Sequence, residues 1–108
     1  MPALITIEHA RRQVRLQPDD TSLDVELDPL REIATALVID YIKRPDHGWS
    51  ESYDPAGSPY DSDFVIVTAA IAEVLVNLWR HRGDETADGP ITARVQLMLE
   101  RLRDPALA

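Results

Sequence analysis

The chain has 108 residues, 11 Lys+Arg against 19 Asp+Glu, a formal net charge of -8 and no cysteine. That length makes one domain, residues 1–108, and a hydrophobic fraction of 44% with 28% charged residues argues against wholesale disorder. The acidic balance argues against a protein that grips nucleic acid by its phosphates or lies on anionic lipid. The lack of cysteine excludes a disulfide framework, a thiolate nucleophile and a cysteine-bound zinc.

Residues 1–8 lack a basic stretch followed by a long apolar run, so no secretory signal is expected. The longest apolar stretch, 64–79, is broken by Thr68, Glu73 and Asn77, and a spanning helix wants roughly 20 apolar residues. A soluble protein without membrane contact is expected. The predicted architecture is all-α, a small bundle of three to four helices with a long irregular loop between the second and third main segments.

The first helix follows Thr6, a good N-cap, with Ile7, Ala10 and Val14 at helical spacing and Pro18 as its end. In the second segment Leu23, Leu27, Leu30, Ala34, Leu37 and Tyr41 mark one face, widened by Val38 and Ile42. Pro29 interrupts it, and Asp28-Pro29 also reads as an N-cap and first helical residue. A firm helix over 29–43 is predicted, with a kinked helical turn or two ahead of it. Residues 44–61 carry Pro45, Gly48, Pro55, Gly57 and Pro59, and acidic side chains after Arg44. Such a loop is long for a compact domain, and it is predicted to be mobile and to order on assembly. Its aromatics Trp49, Tyr53 and Tyr60 either pin it to its own helices or meet a partner.

The third helix starts near 61–63, where Asp61, Ser62 and Asp63 offer caps, and runs to Arg82 with Gly83 as the stop. It is apolar nearly all round, so burial between subunits is expected. Within it Glu73 and Asn77 lie one turn apart and need partners, as an interhelical or intersubunit pair. A last helix opens at Pro90 or Thr92, with Ile91, Val95, Met98 and Leu102 facing inward. Ile33, Leu37, Tyr41, Ile71, Leu75, Leu78, Val95 and Met98 are the expected core.

Motifs for chemistry are missing. There is no phosphate loop, HExxH zinc helix or nucleophile elbow, and His9, His47 and His81 are scattered. No catalytic residue, cofactor or metal is expected, and the protein reads as a non-enzyme. Arg11, Arg12 and Arg15, and Arg101 with Arg103, are small basic patches better suited to salt bridges than to DNA.

The whole pattern resembles a family. Ile5-Thr6-Ile7-Glu8-His9-Ala10-Arg11 is similar to the short first helix of tailed-phage head–tail connector proteins, of the type found in phages of high-GC hosts. Ala34 through Asp40-Tyr41-Ile42-Lys43-Arg44-Pro45 resembles that family's "AxxxVxDYLxRP" helix end. Ala69-Ala70-Ile71 through Leu78-Trp79-Arg80-His81-Arg82-Gly83 resembles its "AxLxLVAxLYEHRG" helix. Gly89-Pro90-Ile91-Thr92 and Arg101-Leu102-Arg103-Asp104-Pro105-Ala106-Leu107-Ala108 resemble its ending.

The resemblance implies a structural virion protein that forms a homo-oligomeric ring, usually a dodecamer, at the portal vertex. It would join the head to the tail, contact the portal protein and the next head-completion or tail protein, and line a channel through which DNA passes without sequence-specific binding. It would reside at the head–tail junction of the virion, and in the host cytoplasm during assembly. Partner contacts are expected at Arg101, Arg103, Leu107, Trp49, Tyr53 and Tyr60, with residues 104–108 as a docking tail, and subunit contacts at Glu73 and Asn77. Two readings compete: a small helical dimeric regulator or antitoxin-like interaction protein, which would need a DNA-reading helix with a basic face, and a hydrolase using Glu73 or a histidine, which would need a pocket with convergent polar groups.

Overall fold

A computed structural model describes residues 3–17, 19–44, 46–56, 61–81 and 89–102. Among them are four α-helices and a closing 3-10 turn, with no strand. Thr6 starts α1 (Ile7–Gln13): its hydroxyl accepts from the His9 N–H at 3.1 Å, answering one of the donors a helix leaves open at its start. Beyond α1 the backbone turns at Arg15 (φ 66°), and the Leu16 N–H reaches back to the Arg11 carbonyl at 2.8 Å.

The second helix, α2 (Asp24–Ile42), is one element with Pro29 inside it, so the helical turn expected ahead of the proline is continuous with the helix that follows it. Pro29 cannot donate to the carbonyl of Val25, but Val25 is 88% exposed and water can serve that oxygen. Tertiary contacts carry the helix through the proline. Leu27 is fully buried, and Asp24 takes a two-pronged hydrogen bond from the buried Arg11, Nε to Oδ1 at 3.0 Å and Nη2 to Oδ2 at 2.5 Å. At the other end Lys43 adopts the left-handed conformation (φ 60°, ψ 40°) and its N–H closes onto Ile39 and Asp40.

The third helix, α3 (Ser62–Arg80), is capped by Asp61, whose carboxylate accepts from the Phe64 N–H at 3.1 Å. It ends at Arg80 with His81 as its C-cap, short of the expected Arg82; residue 83, the expected stop, lies outside the described residues. By length and composition it is the one described helix apolar enough to cross a membrane. Here it is the central element, with α1, α2 and α4 (Ala93–Leu99) all packed on it. Thr92 caps α4 through Val95, and the 3-10 turn Glu100–Leu102 swings Leu102 into the core.

Ile71, Leu75 and Val95 are fully buried as expected, and Leu37, Tyr41, Leu78 and Met98 pack against them half-buried. Ile33 is not core; it is 46% exposed. The inward face of α2 carries Leu27, Ala34, Val38 and Ile42, flanked by Thr35 and Ile39, and Ile33 is turned about 100° from Ala34. Apolar residues wrap too much of α2 for spacing alone to pick the inner side. The core also includes Ala3, Leu4 and Ile5, an irregular segment too short to show periodicity. It is seated on α2, where the Leu4 N–H donates to Thr35 Oγ1 at 3.2 Å.

Candidate functional site

The loop between α2 and α3 is held by two polar clamps. Asp61 makes the first: besides capping α3, its Oδ2 accepts from Trp49 Nε1 at 3.0 Å and from the Tyr53 hydroxyl at 2.8 Å. Those bonds, Tyr53 first and then Trp49, hold the Asp61 carboxyl below the usual carboxylate range, and the same bond raises the Tyr53 phenol. Both rings lie against the buried Phe64, with centroids 5.8 Å (Trp49) and 4.8 Å (Tyr53) away. Gly48, at φ 75°, allows the turn that sets His47 flat on Trp49, 5.3 Å between centroids. The Trp49 N–H donates to His47 Nδ1 at 2.9 Å, so the neutral imidazole carries its proton on Nε2.

Arg31 makes the second clamp. Its Nη1 donates to Glu51 Oε2 at 2.9 Å and to the Ile5 carbonyl at 2.8 Å, while Nε and Nη2 hold Asp28 Oδ1. One guanidinium thus ties the N-terminal segment, α2 and the loop together. Beside it opens a cleft of about 390 Å³, lined by Arg31 and Glu32 from α2 and by His47, Trp49, Ser50 and Glu51 from the loop. Its lining offers neither a nucleophile paired with a base nor, among the described residues, a group of three side chains placed to hold a metal. Carboxylates beside an indole suit an organic cation instead.

Of the residues expected at contacts, Trp49 and Tyr53 are brought together on Asp61 and Phe64, pinning the loop to its own helices. Arg101 is exposed on the closing 3-10 turn. Glu73 and Asn77 both face the α4 side: Glu73 lies 3.7 Å from Arg94, and Asn77 Nδ2 donates to the Pro90 carbonyl at 3.1 Å. Tyr60, Arg103, Leu107 and the tail 104–108 lie outside the described residues. Sequence reasoning missed the joining roles of Arg31 and Asp61. Asp61 was legible as a cap, but its second duty depends on the path of the loop, and nothing near Arg31 in sequence announces Ile5 or Glu51.

The surface keeps several large apolar side chains in water, with Val25 88% and Leu97 77% exposed. No protein-family model, curated protein or solved structure matches the chain.

Proposed function

We propose that this chain is a subunit of a tailed-phage head–tail connector, assembled as a ring beneath the portal. The observation that carries the reading is the match between motif order and element order. The segment like the family's first helix opens α1, the "DYLxRP"-like segment closes α2, and the "LYEHRG"-like segment closes α3. The connector helix is uninterrupted where Pro29 falls, and α2 runs through Pro29. A net charge of -8 suits the wall of a conduit, because like charge lets duplex slide rather than stick. The part is structural, its ligands the portal, its own copies and the next protein of the tail.

The test is loading. Phage heads that bear a portal but no connector are incubated with the purified chain, sedimented and imaged by electron microscopy. The chain should pellet with the heads and add ring density at the portal vertex. Heads that pellet bare in the presence of excess chain would overturn the reading.

A further inference from the structure

The cleft beside Trp49 is not explained by the packing of one copy. Among the described residues Glu32 has no ion-pair partner, and Glu51 gives only Oε2 to Arg31, leaving its second oxygen available. Arg31 is shared between Glu51 and Asp28, so one guanidinium faces two carboxylates and Glu32 is left without a counter-charge. The lining therefore combines surplus negative charge with a fixed aromatic wall, since Trp49 is held by Asp61 and stacked with His47. A guanidinium satisfies both, donating to the carboxylates while its apolar stem lies along the aromatic wall.

The chain itself carries a matching group. Arg11, Arg31, Arg44 and Arg94 lie in ion pairs within the chain. Among the other described arginines, Arg12 and Arg15 belong to α1 and its end and Arg80 to the end of α3, and both helices pack on the same α2 that lines the cleft. Arg101 differs. It is exposed, yet Leu102 beside it is buried, so its backbone is anchored while its side chain reaches outward. It also follows α4, which packs on α3, whereas the cleft is bounded by α2 and its loop. A ring requires such a pair of unlike patches, one on each side of the subunit.

We propose that the cleft formed by Glu32, Trp49 and Glu51 is a socket for Arg101 of the next copy of this chain. The proposal rests on the ring reading above and names the contact that would close it. Charge attraction at a partly open rim makes the contact weaken as salt rises.

The experiment is a charge exchange read by sedimentation velocity on the full chain. Circular dichroism verifies that Glu32→Arg, Arg101→Glu and the double variant are folded. Each single variant should associate roughly tenfold more weakly than wild type, and the double variant should recover most of the loss. Single variants that associate like wild type would overturn the socket while leaving the ring reading intact. Loss without recovery in the double variant would overturn the pairing of these two residues. A wild-type chain that stays monomeric, alone and on portal-bearing heads, would overturn both proposals together. The Trp49 indole N–H resonance gives a second readout: it should move on association in wild type and stay unmoved in Arg101→Glu.

Discussion

At the scale of single residues, the centre of the molecule depends on Leu75 and its periphery on Asp61. Leu75 is fully buried in the central helix, so Leu75→Ala should cost about 2–5 kcal/mol, seen as a lower denaturant midpoint with an unchanged slope. Asp61 has three donors on one carboxylate, and its acid dissociation is held low by them. A carboxyl depressed in the folded state stabilises it above the unfolded value, here 3.8, and the contribution is lost as pH falls through the lower, folded value. Asp24 acts in the same direction, chiefly through its hydrogen bond from Arg11. Burial, and then the Arg12 charge, hold His9 below its ordinary 6.5, so stability should begin to decline gently below about pH 6.5 and more steeply below about pH 4. Asp61→Asn should be less stable at neutral pH and decline less steeply in acid. Urea midpoints across a pH series check this, and parallel wild-type and variant curves would remove Asp61 from the acid response.

At the scale of elements, α2 holds a residue that its local sequence does not want. Pro29→Ala restores a backbone donor on an exposed turn and removes a ring that crowds the preceding one, so it should stabilise the chain by up to about 3 kcal/mol. A melting midpoint that stays or falls would mean that the proline's restriction of the unfolded chain outweighs the missing bond. The same helix marks where sequence is legible. Caps could be read directly, because Thr6, Asp61 and Thr92 each act on a backbone N–H three residues away. Apolar periodicity placed all four helices and their order. It failed for Ile33 because α2 is apolar over too wide an arc, and for residues 3–5 because a three-residue segment has no period. The α2–α3 loop was recognisable as irregular and aromatic, but its two clamps join residues up to 26 positions apart, which no local pattern encodes.

At the scale of the whole molecule, the core and the proposed docking surfaces draw on different residues. Leu99 and Leu102 complete the core, and the described structure ends with Leu102. Deleting residues 104–108 should leave helical circular dichroism and the melting midpoint close to wild type. It should nevertheless weaken co-sedimentation with portal-bearing heads, since the proposed tail contacts lie there. A truncated chain that loads at the wild-type level would move the portal contact away from the tail. The exposed Val25 and Leu97 sit on α2 and α4, so subunit contacts can be sought on both without disturbing the buried set.

The seat that α2 provides for Ala3, Leu4 and Ile5 has a consequence for biosynthesis. These residues leave the ribosome ahead of their seat, because Thr35, which receives the Leu4 amide, follows 31 residues later. Leu99 and Leu102, which cover part of α3, are later still. At roughly 5–20 residues per second this apolar segment waits on the order of seconds for its seat, and α3 waits about as long for its cover. A nascent chain with a bare, strongly apolar helix is a ready client for trigger-factor-like chaperones, and slowing translation between α3 and α4 should lengthen that engagement.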